Sequence, residues 1–269
     1  MPSDEVPVAV AQFAPGTDKA ANLAAIRSLA QRAAGRGARL VVFPEYSAFF
    51  TPELGERAVA AAEPLDGPFV TAVAQIADSV GATIVAGMLE TTTTPDRFSN
   101  TLVAVSAGRE LLAKYRKIHL YDAFGQRESD SVLAGAVDSP ETFAVGGFTA
   151  GLQTCYDLRF PESTRRLVDA GVDLVLVPSE WVRGPLKEAH WRTLVTARAL
   201  ENTVYVVAAD QAPPIGAGNS MIVDPMGVEV ATVGENTDVA LAWASPARVA
   251  EVRTINPALA LRRFAVVPR

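Results

Sequence analysis

Apolar residues recur along the chain in two alternating patterns. Short runs such as Arg39–Phe43 are almost wholly apolar and lie between a glycine and a proline, which is typical of buried strands. Longer segments repeat apolar residues at helical spacing, as Leu23, Ile26 and Leu29 do within Lys19–Arg36. The first pattern predicts strands at Val6–Phe13, Arg39–Phe43, Ala82–Met88, Asn100–Ser106, Glu110–Lys117, Thr142–Thr154 (in two pieces), Asp173–Val177, Val204–Ala209, Asn219–Val223 and Val239–Trp243. The second predicts helices at Lys19–Arg36, Phe69–Val80, Pro161–Ala170 and Leu186–Asn202, and one short helix after Pro246.

This order of elements indicates the fold class. Helices alternate with buried strands, but several hairpin-like pairs of strands interrupt the alternation. An α/β layered fold with mixed sheets is therefore expected, rather than a purely parallel sheet. No Gly/Ser linker or low-complexity tract divides the sequence, so residues 1–269 are expected to form a single domain.

Two segments of the chain resemble each other. Gly37–Glu45 and Gly171–Glu180 each follow a predicted helix, and each contains a glycine, an apolar strand, a proline and a final glutamate. Two similar halves would form two sheets packed face to face, with helices outside. Unrelated βα units also look alike, and the sequence leaves both interpretations open.

Composition and charge exclude several classes of function. The formal net charge is −6 and the basic residues are scattered, so no nucleic-acid partner is expected. Met1–Glu5 lacks the basic start of a signal peptide, and the longest apolar runs are too short to cross a bilayer. One cysteine cannot form an internal disulfide, and two histidines with one cysteine make a poor zinc set. A soluble cytoplasmic protein without a metal or cofactor is expected.

The single cysteine lies where chemistry is plausible. Cys155 follows an apolar strand and precedes the helix that begins at Pro161. At such a turn, backbone amides and a helix N-terminus can lower the pKa of a thiol, and the Tyr156 N–H could face an oxyanion. A lone cysteine is also often a buried structural residue.

Three charged residues are further candidates. Glu45 ends the strand Arg39–Phe43, at the sheet edge where α/β proteins place their sites, although it could instead cap the next helix. If Glu110–Lys117 continues as a strand, Lys117 and His119 share one face, which could equally be a solvated one. Glu128 follows in a polar loop, where a surface position is the ordinary expectation.

Taken together, these residues resemble the nitrilase superfamily of carbon–nitrogen hydrolases, whose signature is a Glu–Lys–Cys triad in that chain order. The segments Phe43–Glu45, Tyr115–Leu120 and Cys155–Glu162 look like the glutamate, lysine and cysteine motifs, and Glu128 matches a second glutamate found in many members. The resemblance also covers Val8–Gln12, Ala197–Asn202 and Asn219–Gly227, with a departure at Gly218–Ser220, where many relatives carry Gly-His-Ser or Gly-Ser-Ser.

The resemblance implies a four-layer α-β-β-α sandwich and a homodimer or higher homo-oligomer. It implies that Cys155 forms a thioester, Glu45 acts as base and acid, Lys117 stabilises the oxyanion, and Glu128 supports the site. The expected substrate is a small amide, aliphatic or carboxylate-bearing, of the kind the ω-amidase-like branch hydrolyses. An N-carbamoyl amide and, less favoured, a nitrile remain alternatives.

Pocket residues follow from position along the chain. Tyr46 and Tyr156 are neighbours of the catalytic candidates, and Trp181 follows the strand Asp173–Val177, so these residues are expected to line the substrate pocket. Arg183 is a candidate for binding a substrate carboxylate, unless it is a surface residue. Two other functions stay open: a Cys–His hydrolase that uses His119 or His190 as its base, and a non-enzymatic binding protein on the same fold.

Overall fold

A computed structural model describes residues 5–268. Its twelve strands are β1 Val6–Gln12, β2 Leu40–Val42, β3 Thr83–Thr91, β4 Phe98–Val105, β5 Leu111–Arg116, β6 Thr142–Val145, β7 Phe148–Leu152, β8 Leu174–Ser179, β9 Tyr205–Asp210, β10 Met221–Val223, β11 Glu229–Thr232 and β12 Asp238–Ala244. Its α-helices are α1 Lys19–Gly35, α2 Glu56–Ala61, α3 Pro68–Val80, α4 Pro161–Asp169, α5 Lys187–Asn202 and α6 Pro246–Ile255. Short 3₁₀ helices cover Glu128–Asp130 and Cys155–Arg159.

The strands form two mixed sheets of six strands each. One has the order β12-β1-β2-β3-β4-β5, and the other has the order β11-β10-β9-β8-β7-β6. In each sheet three strands run parallel, β1-β2-β3 in the first and β7-β8-β9 in the second, and antiparallel strands complete the edges. The expectation of mixed sheets is therefore confirmed.

The core divides the molecule into four layers. In β2, Leu40 and Val42 belong to the apolar cluster between the two sheets, whereas Val41 belongs to the cluster beneath α1 and α3. In β8, Leu174 and Leu176 face the first sheet, while the alternate residues pack under the helices on the other side. Both faces of these central strands are buried, which explains why the sequence shows continuous apolar runs there. The arrangement is the four-layer α-β-β-α sandwich.

The two halves correspond as the repeated segments suggested. β2 and β8 are the middle strands of the parallel trio in their sheets, and the segments that follow them end at Glu45 and Glu180. The two strands belong to different sheets that pack face to face, and the two glutamates come to the same region of the molecule, where the Glu180 N–H donates to Glu45 Oε2.

Several local predictions need correction. The elements α2 and β11 were not predicted, because one is short and the other is mostly exposed and polar. The strand that precedes Lys117 ends at Arg116, so Lys117 and His119 do not share a strand face. Other boundaries agree within three residues, a normal uncertainty for element ends.

The helices of residues 5–268 are too short or too polar for any of them to cross a membrane. In the same range, no three His, Cys, Asp or Glu side chains are grouped in a way that could hold a metal ion.

Candidate active site

A cavity of about 560 Å³ opens at the carboxyl ends of β2 and β8. Its walls include the four residues predicted to carry the chemistry: Glu45, Lys117, Glu128 and Cys155. All four are buried, with side chains or whole residues no more than 6% exposed. A cluster of two carboxyls, an ammonium and a thiol that is withdrawn from bulk water has strong mutual electrostatic interactions.

Glu45 is held by donors on both carboxyl oxygens. Its Oε1 accepts hydrogen bonds from Lys117 Nζ at 2.9 Å and from Asn100 Nδ2 at 2.6 Å. Its Oε2 accepts from the backbone N–H of Glu180 at 2.7 Å. Glu45 is therefore not a helix cap. Gly87 on β3 permits this placement, because a Cβ there would lie 2.5 Å from Tyr46 N and 2.7 Å from Glu45 Cα.

Glu128 is buried despite its loop sequence. Its carboxylate lies 2.9 Å from Lys117 Nζ and accepts hydrogen bonds from Tyr46 Oη at 2.7 Å, Asn100 Nδ2 at 3.0 Å and the Tyr121 N–H at 2.6 Å. Lys117 thus lies between two carboxylates, and this geometry sets the direction of its ammonium group. The expectation of a surface position for Glu128 was wrong, because the 3₁₀ helix turns its side chain inward.

Cys155 begins the 3₁₀ helix Cys155–Arg159 with φ +47°, a left-handed conformation that costs a non-glycine residue about 1–3 kcal/mol. Its thiol donates to the backbone carbonyl of Glu180 at 3.3 Å. The turn is anchored by the buried Asp157, which accepts from the Thr154 N–H at 3.0 Å and from Tyr115 Oη at 2.6 Å. The first backbone N–H groups of such a helix have no partner within it, and Tyr156 N–H is one of them.

The pKa values of these groups reflect burial first. Burial raises the pKa of the Cys155 thiol well above its usual value; Glu45 adds to this, and Lys117 opposes it. The direction is opposite to the lowering that such a turn can produce, because a buried thiol loses the hydration that stabilises its thiolate. Burial also raises the pKa of Glu45, against the opposing effect of Lys117. A protonated thiol beside a carboxylate of raised pKa requires a base-assisted attack.

For Glu128 and Lys117, charged neighbours and hydrogen bonds outweigh the effect of burial on the pKa. Burial by itself would raise the pKa of Glu128, but the Lys117 ammonium and then the Tyr121 N–H and Tyr46 hydroxyl lower it. Burial by itself would lower the pKa of Lys117, but Glu128 and Glu45 raise it well above its usual value. Glu128 is thus a carboxylate and Lys117 an ammonium at neutral pH.

Three of the four predicted pocket residues line the cavity: Tyr46, Tyr156 and Trp181. Two hydrogen bonds fix Trp181. Its backbone N–H donates to Asp210 Oδ1 at 2.6 Å, and its indole N–H donates to the backbone carbonyl of Lys187 at 2.8 Å. Arg183 does not line the cavity. Its half-exposed guanidinium lies 3.0 Å from Glu235 and 3.5 Å from Glu188, so surface carboxylates already satisfy it.

Neither histidine lines the cavity. His119 Nδ1 is 2.7 Å from Asp157 Oδ1, and its ring stacks on Phe160 at 3.8 Å. His190 lies on α5 and also stays outside the cavity walls. The hydrolase that would use a histidine base therefore receives no support from the geometry.

Sequence reasoning missed two cations at the outer part of the cavity. Arg159 and Lys187 pack over the same two rings, those of Trp181 and Phe124. Arg159 Cζ lies 4.8 Å from the Trp181 centroid and 5.7 Å from the Phe124 centroid. Lys187 Nζ lies 6.0 Å from the Trp181 centroid and 3.9 Å from the Phe124 centroid. Two guanidinium nitrogens of Arg159 are buried without a hydrogen-bond partner within residues 5–268. The position of Arg159, one helical turn after the cysteine, was the available signal.

Glu180 was also missed, although the repeated segments pair it with Glu45. Its backbone contacts both Glu45 and Cys155, and its side chain lines the cavity.

Comparison with known proteins shows the family to which the chain belongs. The model of a family described as carbon-nitrogen hydrolase matches residues 7–254. A deaminated glutathione amidase of Escherichia coli O157:H7 is 39% identical over 258 residues, which cover 96% of this chain and 97% of that protein. The Caenorhabditis elegans NitFhit structure has a TM-score of 0.87 and 29% identity, covering 98% of this chain and 66% of that one. The amidase from Nesterenkonia sp. AN1 in complex with acrylamide has a TM-score of 0.81 and 25% identity, covering 98% of this chain and 96% of that one.

The fold and the thiol-containing cavity define a cysteine hydrolase on a nitrilase-like sandwich. The chain belongs to the carbon–nitrogen hydrolase family of the nitrilase superfamily, and it is an amidohydrolase.

Proposed function

We propose that this enzyme hydrolyses a small amide to a carboxylic acid and ammonia through a thioester on Cys155. The observation that carries the proposal is the Lys117 ammonium, held between Glu45 and Glu128 in the wall of the cavity that also contains the thiol. The arrangement supplies a nucleophile, a base and a fixed positive charge within one water-poor site.

In this mechanism Glu45 takes the proton from Cys155 as sulfur attacks the amide carbon. The oxygen of the tetrahedral intermediate receives hydrogen bonds from Lys117 and from the Tyr156 N–H. Glu45 then gives its proton to nitrogen, the C–N bond breaks and ammonia leaves. Water attacks the thioester next, with Glu45 as base; the C–S bond breaks, the acid is released, and Glu45 returns its proton to the Cys155 sulfur. Glu128, held by Tyr46, keeps Lys117 in position.

The substrate class follows from the charges of the cavity. Arg159 and Lys187 lie on the same aromatic walls, and no carboxylate of residues 5–268 forms a salt bridge with either. Burial and the neighbouring Arg159 lower the pKa of Lys187, so an anion at this place would relieve the repulsion between the two cations. We therefore propose an amide whose acyl end carries a carboxylate, with Trp181 as the wall between the two ends.

Deaminated glutathione is a second candidate substrate, because the 39% identical relative bears that name. It carries carboxylates, but its amide nitrogen is substituted, so an amine would leave instead of ammonia. N-carbamoyl amides need the same chemistry and remain an alternative, as do nitriles with less support.

The proposal is tested by product release from primary amides with and without a terminal carboxylate, deaminated glutathione, N-carbamoyl amino acids and nitriles. We expect the wild type to release acid and ammonia or amine, and Cys155→Ala to lose at least about a thousandfold in turnover while remaining folded, because the covalent path is gone. Equal turnover by Cys155→Ala would rule out the thioester. An acyl adduct on Cys155 in mass spectrometry would support it directly.

Arg159→Met is expected to raise KM for a carboxylate-bearing amide about 10–100-fold, because a charge-assisted hydrogen bond contributes about 1.5–3 kcal/mol. For an uncharged amide of the same length, KM should change by less than about threefold, because this substrate has no carboxylate for the guanidinium to bind. Arg183→Met is the matched control and should change neither KM, since Arg183 lies outside the cavity. Equal losses on both substrates in Arg159→Met would reject a carboxylate subsite.

We further propose that the chain acts as a homodimer or higher homo-oligomer, and that it forms one domain in the cytoplasm. The apolar side chains of Leu186 and Leu200, at the two ends of α5, are 71% and 48% exposed, which supports pairing through this helix. A monomeric mass in light scattering at micromolar concentration would reject the dimer.

A further inference from the structure

Glu180 lies at the point where both halves of the molecule meet the reaction centre. It follows β8 directly, in the position that Glu45 has after β2. Its backbone N–H donates to Glu45 Oε2 at 2.7 Å, and its backbone carbonyl accepts from the Cys155 thiol at 3.3 Å. The main chain of Glu180 therefore fixes the distance between the proposed base and the nucleophile.

The side chain of Glu180 has no such partners. It lines the cavity, its Oε1 is fully buried, and neither oxygen forms a hydrogen bond or ion pair with the part of the chain that is described. The other two carboxyls of the inner cavity, those of Glu45 and Glu128, share the single ammonium of Lys117. An ionised Glu180 would add a third negative charge beside Glu45 and Glu128, and no hydrogen bond from residues 5–268 would compensate for its lost hydration.

The ionisable groups around Glu180 come from every neighbouring element. They are Glu45 and Tyr46 after β2, Lys117 after β5, Tyr121 in the following loop, Glu128 in its 3₁₀ helix, Cys155 before α4, Lys187 on α5 and Asp210 at the end of β9. Burial raises the pKa of Glu180 well above its usual value; Glu45 and Glu128 act in the same direction, and Lys117 and Lys187 oppose them. Together these effects favour the protonated, neutral form of the Glu180 carboxyl.

We propose that Glu180 takes part in the reaction as a neutral carboxyl, which donates a hydrogen bond to an oxygen of the bound substrate and whose ionisation inactivates the site. A protonated carboxyl is a donor, which a carboxylate is not. Once ionised, it opposes formation of the thiolate, and it repels the anionic acyl end that we propose for the substrate. The inference rests on the proposed function of Cys155, and it adds a substrate contact outside the Glu45, Lys117 and Cys155 set.

The sign of the pH effect follows from the direction of the shift. Because the carboxyl of Glu180 binds its proton more tightly than usual, it stays neutral through the acidic range and ionises only as pH rises through the raised pKa. Activity that depends on the neutral form is therefore lost on the alkaline side of the profile.

Two variants separate the charge from the hydrogen bond. Glu180→Gln keeps a neutral donor, so its kcat/KM at low pH should stay within about threefold of the wild type, and its alkaline decline should begin at least about one pH unit higher. Glu180→Met keeps the size but has no donor, so its kcat/KM should be about tenfold or more below that of the wild type at every pH where Glu180 of the wild type is neutral. Glu188→Gln, an exposed glutamate of α5, is the matched control and should change nothing. Near-complete loss of activity in Glu180→Gln, or an unchanged profile, would overturn the proposal.

A second measurement does not need turnover. Cys155 is the one cysteine of the chain, so the rate of alkylation by iodoacetamide reports on a single thiol. We expect equal rates for wild type and Glu180→Gln below the pH at which Glu180 ionises, and a faster rate for Glu180→Gln above it. A faster rate at every pH would mean that Glu180 is ionised at neutrality, and identical curves would mean that it does not act on the thiol; either result overturns the proposal. If instead Cys155→Ala keeps full turnover, the proposed function fails, and the alkylation curves still test Glu180.

Discussion

Replacing Lys117 with methionine is expected to remove measurable turnover and to lower the free energy of unfolding by about 3–5 kcal/mol. The ammonium is 2% exposed and lies 2.9 Å from both Glu45 and Glu128, so its removal leaves two buried carboxylates without their shared partner. The loss of the oxyanion donor alone would slow the reaction about 10²–10³-fold. Urea unfolding and kcat/KM measure the two effects separately.

The control and the pH dependence make this prediction specific. Lys114→Met breaks an ion pair with Glu141 at a partly exposed place, so it should lower the free energy of unfolding by less than about 1 kcal/mol and leave activity intact.

The lowered pKa of Glu128 in the folded protein also predicts how stability depends on pH. Its contribution to stability is present above the ordinary pKa of a glutamate and is lost as pH falls through the pKa of the folded state. Glu45, whose pKa is raised, takes up its proton first. The stability difference between wild type and Lys117→Met should therefore narrow in acid.

A double variant separates folding from catalysis. Glu128→Gln combined with Lys117→Met removes a carboxylate together with the ammonium, so part of the lost stability should return. Activity should not return, because the oxyanion donor is still missing. Recovery of turnover in the double variant would show that Lys117 acts only by holding the fold together.

Glu45→Gln is expected to reduce turnover about 10²–10⁴-fold, the usual loss when a general acid–base group is removed. The amide nearly preserves the shape, but it cannot take the thiol proton, and its NH₂ must face either Lys117 or the Glu180 N–H, both of which are donors. An activated ester of the same acid should still acylate Cys155. The thioester should then persist, because water attack also needs the base, and the mass of the intact protein would reveal it.

Glu53→Gln provides the comparison for this variant. Glu53 also lines the cavity, but it is exposed, and no hydrogen bond joins its carboxyl to the described chain. It should keep wild-type turnover. Hydrolysis by Glu45→Gln at more than about a tenth of the wild-type rate would remove Glu45 from the role of base.

The sequence by itself determined the layers of the fold and four of the residues that meet in the cavity, Glu45, Lys117, Glu128 and Cys155. Continuous apolar strands such as β2 and β8 can only be central strands with both faces covered, and the segments that follow them end at Glu45 and Glu180. The family motifs added Lys117 and Cys155. These inferences succeed because they depend on periodicity and on neighbours in the chain.

Tertiary structure alone decided what each charge is paired with. Arg183 was predicted as a candidate for binding a substrate carboxylate and Arg159 was not. Surface glutamates neutralise Arg183, however, whereas two nitrogens of Arg159 are buried in the cavity region without partners within residues 5–268. The pKa of Cys155 rises, because burial and the neighbouring Glu45 disfavour the thiolate. Burial and partner distance depend on residues more than 70 positions apart, such as Glu45 and Lys117, and no local pattern encodes the hydration that a group loses when the chain closes over it.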